Sequence, residues 1–185
     1  MLLKYVIATN AQKILSYILS HPHQPFHERD IARKAGVSYG SANGVLNLLQ
    51  KDGILLKKGA GRMCYYSVDL SNAYVKELKI LNNLLILEPM AEKLIRYAFK
   101  IAVFGSWAAG SDTENSDIDV FILTSKEKIV KDVVEKYSNT IGKKIQAVIK
   151  TPEEMLNLNS RDKVLMKQIG LGKVLFEREI ENDNF

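Results

Sequence analysis

Residues 101–123 read IAVFGSWAAGSDTENSDIDVFIL. Ile101–Phe104 is a short apolar run of the length and composition of a buried strand. Gly105-Ser106 follows at once, then the small-residue segment Trp107-Ala108-Ala109-Gly110. A polar turn, Ser111–Ser116, leads to Asp117-Ile118-Asp119 and a second apolar run, Val120–Leu123. Side chains alternate faces along a strand, so Asp117 and Asp119 share one face, roughly 6–7 Å apart at the backbone. Two carboxylates at that separation can converge on a hard divalent cation, which takes oxygen ligands from carboxylates and substrate phosphates. The backbone N–H groups of Gly105, Ser106 and the turn after them suit phosphate oxygens. Carboxylates on one side and a glycine–serine loop on the other describe a site for a nucleoside triphosphate. Taken singly, either acid reads equally as a turn or strand-edge residue.

Gly105-Ser106, ten intervening residues and Asp117-x-Asp119 together resemble the signature of the minimal nucleotidyltransferases of the DNA polymerase β superfamily. Ser116-Asp117-Ile118-Asp119 has the form usual there, and the resemblance runs from about Glu88 to Phe185. It implies transfer of a nucleoside monophosphate from a nucleoside triphosphate to an acceptor, dependent on Mg²⁺ or Mn²⁺, with release of pyrophosphate. Asp117 and Asp119 would be the catalytic, metal-holding acids, and Gly105 and Ser106 the nucleotide-binding pair. Some members of that superfamily modify a partner protein as antitoxins and others modify small molecules. Nothing in this sequence selects the acceptor, and a protein acceptor stays open.

The 185 residues, 46% of them hydrophobic and 25% charged, have the make-up of an ordinary soluble protein. No apolar run approaches the ~20 residues of a membrane helix, so no membrane partner is expected. The opening MLLKYVIATNAQK lacks the apolar core and cleavage site of a secretory signal. A single cysteine, Cys64, cannot form an internal disulfide, which fits a cytoplasmic protein. Three histidines and one cysteine argue against a structural zinc site. The net charge of +5 is uneven: residues 1–70 carry nine Lys/Arg against four Asp/Glu, and residues 101–185 carry twelve against fourteen. The basic excess therefore lies N-terminally, as a nucleic-acid-binding module requires.

In that N-terminal part, Ile14, Leu15, Ile18 and Leu19 recur at helical spacing over Ala11–Leu19, with Asn10 placed to cap the helix. His27–Ala35 forms a second helix with Ile31, Ala32 and Ala35 inward, and Gly36 supplies a left-handed stop. Ser38 caps a third helix running to about Lys51, with Ala42, Val45, Leu46 and Leu49 buried. Its opposite stripe is Gly40, Asn43, Gly44, Asn47 and Lys51, with Tyr39 and Ser41 beside it. Two strand-like runs flank Gly59-Ala60-Gly61 and form a hairpin. The segment ERDIARKAGVSYGSANGVLNLLQKDGIL and the hairpin after it resemble a winged helix-turn-helix domain over about Thr9–Leu70. That resemblance implies DNA as a partner. Tyr39, Ser41, Asn43 and Asn47 would face the bases, where Asn pairs well with adenine. Lys57, Lys58 and Arg62 would meet phosphates, which add affinity without sequence information. Dimerisation or protein contact is the competing use of the same surface, and Tyr65 and Tyr66 read as hairpin packing.

Ser71–Leu87 continues as a leucine-rich helix, with Tyr74, Leu78, Leu81 and Leu84 or Leu85 inward, that bridges the domains and leaves a homodimer open. Pro89 opens a further helix, Met90–Lys100, packed through Leu94, Ile95, Ala98 and Phe99. After the motif, Lys126–Ser138 is a helix burying Ile129, Val130, Val133, Val134 and Tyr137, and Lys143–Ile149 a strand. Two short helices and a strand, Gly172–Phe176, close the chain ahead of a polar tail. The expected fold is α+β: a winged helix over residues 1–70, a linking helix over 71–88, and a mixed sheet with packed helices over 89–185.

Two departures from the family pattern bear on chemistry. Its third metal-binding carboxylate falls at Gln146, and glutamine cannot take the proton of an attacking hydroxyl. Glu153, Glu154 and Asp162 are the nearby acids that could replace it. Ala109 stands where an arginine is frequent. The competing function is therefore a DNA-binding regulator whose second domain binds nucleotide, or scaffolds, without turnover.

Overall fold

A computed structural model describes residues 6–61, 63–155 and 162–179. The chain divides into two compact units, one of residues up to Leu85 with Asp112–Asn115, the other of Ile86–Ser111 and the residues from Ser116 onward.

The first unit begins with helix α1, Asn10–Leu19. Its cap is Thr9, not Asn10: the Thr9 hydroxyl accepts from Gln12 N–H while the Gln12 side chain returns to the Thr9 N–H at 2.8 Å, a capping box. A threonine followed three residues later by a glutamine satisfies two orphan donors, which Asn10 alone could not. Strand β1, Phe26–His27, and helix α2, Glu28–Ala35, follow. Gly36 ends α2 at φ 66°, and Ser38 caps helix α3, Tyr39–Lys51, accepting from Ser41 N–H. Strands β2, Leu55–Ala60, and β3, Met63–Val68, form the hairpin, and the sheet order is β1-β3-β2, antiparallel throughout. Ile14, Ile18, Ile31, Leu46, Leu55 and Tyr66 meet in one core. Tyr66 is thus a packing residue, and Tyr65 sets its ring edgewise to His27 with centroids 5.9 Å apart.

Helix α4, Ala73–Leu94, is continuous through Pro89, so the expected break and second helix do not occur. A proline inside a helix removes one backbone bond. Here buried Leu85, Leu87, Met90, Ala91 and Leu94 hold the turns on both sides of it. The inward face also differs from the leucine pattern. Tyr74 is 76% exposed and Leu81 39%, whereas Lys79, Asn82 and Asn83 are buried. Each of the three has polar partners. Lys79 Nζ donates to the Asp112 carbonyl at 2.6 Å and forms an ion pair with its carboxylate, which also accepts from Asn83 Nδ2 at 2.8 Å. Asn82 accepts from Ser16 Oγ and donates to Ser20 Oγ. Apolar periodicity does not reveal a polar face that is fully bonded inside. Among the described residues, no helix is long and apolar enough to cross a membrane.

The second unit is built on a four-stranded sheet in the order β6-β5-β4-β7. Strand β4 is Ala98–Phe104, β5 Ile118–Thr124, β6 Ile145–Lys150 and β7 Lys173–Glu177. Strand β5 runs antiparallel to β4 and parallel to β6, with helix α6, Glu127–Ile141, as the crossover, and β7 runs antiparallel to β4 on its other side. The two central strands are buried from Ile101 to Phe104 and from Val120 to Thr124, which is why they read as unbroken apolar runs. Strand β4 starts three residues before the apolar run, and Ile95 is 39% exposed, so the helix expected over Met90–Lys100 gives way to strand. Helix α6 buries Val130, Val134 and Tyr137, whereas Ile129 is 41% exposed at its margin. Residues 152–155 begin a helical turn, and a further helix, Lys163–Gly170, is capped by the Asp162 carboxylate, which accepts from Leu165 N–H.

Candidate active site

The site forms where β4 ends and β5 begins. Gly105 turns the chain out of β4 at φ 66° into a five-residue helix, α5, Gly105–Ala109, closed by Gly110 at φ 69°. Both positions lie in the left-handed region that favours glycine. At Gly105 space is a second constraint: a Cβ there would overlap Asp119 Oδ2. The Asp119 carboxylate therefore lies directly against the backbone of the turn. The strand register explains this, since Phe104 is paired with Asp119 across β4 and β5. Ser106 is half-buried, and its carbonyl accepts from Gly110 and Ser111 N–H, which closes the loop on itself. The first N–H groups of α5 lack intrahelical acceptors, as at any helix start. Trp107 and Ala108 are buried beneath the loop, so Trp107 packs the turn rather than lining an open pocket. Lys143 Nζ lies 5.7 Å from the centroid of the Trp107 ring. Ala109 is exposed.

Asp117 and Asp119 stand on one face at the start of β5. Gln146 on β6 is the direct register partner of Asp119. Its Nε2 donates to Asp117 Oδ2, and Lys144 Nζ lies 3.0 Å from the same oxygen. Lys144 was absent from the residues anticipated for this site. The only sequence signal for it is its place two residues before Gln146, which puts the two on one strand face.

These neighbours drive the two acids apart. The Lys144 ammonium, and after it the Gln146 amide, holds the Asp117 carboxyl below its ordinary range. Burial, and after it the Asp117 charge, pushes the Asp119 carboxyl up. Asp119 therefore holds a proton more readily than Asp117 does. Of the acids that could replace the missing one, Asp162 is engaged as a helix cap and Glu154 accepts from Thr151 N–H at 3.1 Å, with Lys150 3.6 Å away. Glu153 is exposed. Among the described residues, no group of three His, Cys, Asp or Glu comes together to hold a metal.

The anticipated DNA-facing residues lie in the other unit. Four of them join one network around Glu28, a buried acid in the first turn of α2. Tyr39 Oη donates to Glu28 Oε2 at 3.0 Å, and Asn43 Nδ2 donates to Oε1. Asn47 Nδ2 donates to Asn43 Oδ1 at 3.1 Å, and Asn47 Oδ1 accepts from Lys57 Nζ at 3.1 Å and Tyr66 Oη at 3.4 Å. Ser41 Oγ accepts from Asn10 Nδ2 at 2.9 Å. Lys58 is exposed, and Arg62 lies outside the described residues. Glu28 was not anticipated, because an acid in a helix's first turn is already accounted for by the helix dipole.

Comparison with known proteins bears on the second unit. Residues 87–181 match the family described as "Polymerase beta, Nucleotidyltransferase". No curated protein matches the chain. Among solved structures, the chain is similar to a mutant of the toxin–antitoxin MntA-HpeT at 22% identity, covering 49% of this chain and 70% of that one with a TM-score of 0.37. It is also similar to a toxin–antitoxin crystallised with AMP-PNP, at 26% identity, covering 50% of this chain and 74% of that one with a TM-score of 0.38.

Proposed function

The chain belongs to the polymerase β nucleotidyltransferase family, and on that footing we propose that its second unit transfers a nucleoside monophosphate from a nucleoside triphosphate to an acceptor, releasing pyrophosphate. The observation that carries this reading is the Gly105 turn, held at φ 66° with the Asp119 carboxylate where a Cβ would be. That arrangement joins a turn of N–H donors to a carboxylate pair.

The two acids fit a hard divalent ion, which commonly takes one or two carboxylates and completes its shell with phosphate oxygens and water. Asp117 and Asp119 would hold Mg²⁺ or Mn²⁺. When bound, such an ion supplies positive charge that neutralises the triphosphate oxygens. The N–H groups of Gly105 and Ser106 and the Ser106 hydroxyl would donate to phosphate oxygens. Asp119, already pushed up by burial, gains most from a cation nearby.

A second reading has one observation in its favour: Gln146, not an acid, is the partner of Asp119. On that reading the unit binds nucleotide without turnover and serves a DNA-binding regulator. For the first unit we propose a winged helix that binds DNA, supported by the α2–turn–α3 order, the β2–β3 hairpin and the basic N-terminal part. Lys57 and Lys58 would meet phosphates there.

The discriminating experiment is incubation with Mg²⁺ and labelled nucleoside triphosphates, with and without candidate acceptors. Pyrophosphate release that is lost in Asp117→Asn/Asp119→Asn supports the transferase. Tight nucleotide binding with no release across all acceptors supports the regulator.

A further inference from the structure

Asp117 and Asp119 on β5 face Lys144 and Gln146 on β6, and the four make a square on one face of the sheet. Asp119 is paired with Gln146 and Ile118 with Ile145, and just before that pair the Lys144 side chain meets the Asp117 carboxylate. Two carboxylates, one ammonium and one neutral amide leave this face with a formal charge of −1. Three acids and no lysine would leave it at −3. A second divalent ion beside the first would need further oxygen ligands from the protein. Here Asp117 Oδ2 already has the Lys144 ammonium at 3.0 Å and accepts from the Gln146 amide. The ammonium presents hydrogens where a second ion would need oxygen lone pairs, and Gln146 offers one neutral amide oxygen in place of a carboxylate.

We propose that the site takes one divalent cation instead of two, and that Lys144 carries the second positive charge. The inference rests on the nucleotide-site reading above. With no nucleotide bound, Lys144 neutralises Asp117. With cation and triphosphate bound, Asp117 and Asp119 would hold the cation, and the Lys144 ammonium would reach a phosphate oxygen. The lysine side chain is 70% exposed, so it can leave Asp117 without disturbing the core. Its exposure also means that substitution there should leave the fold intact.

Mn²⁺ alone is the first probe, counted by electron paramagnetic resonance on the full chain with circular dichroism as a check on folding. The wild type should bind one ion. Lys144→Met removes the competing ammonium and should tighten Mn²⁺ binding by up to about fivefold, the scale of an exposed ion pair. Lys144→Met/Gln146→Asp, which restores the third acid, should bind two ions. Two ions in the wild type, or unchanged or weaker Mn²⁺ binding in Lys144→Met, would overturn the proposal. The second probe is a non-hydrolysable nucleoside triphosphate with Mn²⁺ present. Lys144→Met should bind it about tenfold more weakly, the scale of one charge-assisted hydrogen bond, and Lys144→Arg should recover most of the loss. Unchanged affinity would overturn the phosphate role. One ion bound with no nucleotide binding would overturn the nucleotide reading, and the phosphate role of Lys144 with it.

Discussion

Asp119 lays its carboxylate against the backbone of Gly105, in the space that any side chain at that position would need. Gly105→Ala must therefore push Asp119 aside while holding a positive φ that alanine resists. We expect a loss of more than about 1 kcal/mol in denaturant unfolding and a loss of triphosphate binding. Gly44→Ala is the control, because a Cβ there meets nothing within 4 Å and the site lies inside α3. It should stabilise by roughly 0.5–1 kcal/mol.

The two acids should respond to pH with opposite signs. The Asp117 carboxyl is held low, so its contribution to stability is present above the ordinary carboxylate range and is lost as pH falls through its lowered value. The Asp119 carboxyl is raised, so its ionised form disfavours the fold, and the cost appears as pH rises through the ordinary and then the raised value. Thermal melts at pH 7 should show Asp117→Asn lowering Tm and Asp119→Asn raising it. Both differences should vanish in strong acid. A carbon-detected titration should place Asp117 below Asp119, and Lys144→Met should move the Asp117 midpoint upward.

Lys79 and Asp112 are buried together, and removing one partner strands the other. Asp112→Ala should cost about 3–5 kcal/mol, whereas Lys79→Met/Asp112→Leu should recover much of that loss. Urea unfolding of Lys79→Met, Asp112→Leu and the variant that combines them gives the coupling directly. Additive effects would show that the pair does not act as one.

The apolar stripes of the first unit, and the two strands that bracket the motif, were legible because burial imposes periodicity or unbroken apolar runs. Gly105, Ser106, Asp117 and Asp119 stand out as candidates because their spacing is itself the pattern, and the fold brings Asp119 against Gly105. Pro89 misled, because a residue's local preference carries no information about Leu85, Leu87, Met90 and Leu94 packing on both sides of it. Lys144 and Glu28 were not legible for a related reason. Lys144 meets Asp117 only once β6 lies parallel beside β5, and Glu28 meets Asn43 only once α2 crosses α3. Tertiary pairing of this kind leaves no local signal.

Lys57 and Lys58 are both exposed, and Lys57 is held by Asn47 and lies 5.3 Å from the centroid of the Tyr66 ring. If both meet phosphates, Lys57→Ala/Lys58→Ala should weaken DNA binding about equally for all sequences. The slope of log K against log salt should fall by about two, one for each lysine. Gel-shift titrations over a range of salt test this, and an unchanged slope would remove the hairpin from the interface. Glu28→Ala should instead destabilise the unit by about 1–3 kcal/mol, through the unpaired Asn43 amide and Tyr39 hydroxyl, with no direct effect on the slope.

The central claim is that the Gly105 loop and the Asp117–Asp119 pair form one nucleotide site. Calorimetric titration of the full chain with a non-hydrolysable nucleoside triphosphate and Mg²⁺ tests it most directly, with Gly105→Ala and Asp117→Asn/Asp119→Asn alongside. Saturable binding by the wild type, lost in both variants while each stays folded, is the expected result. Binding that survives in both variants, or no binding by the wild type, would contradict the claim.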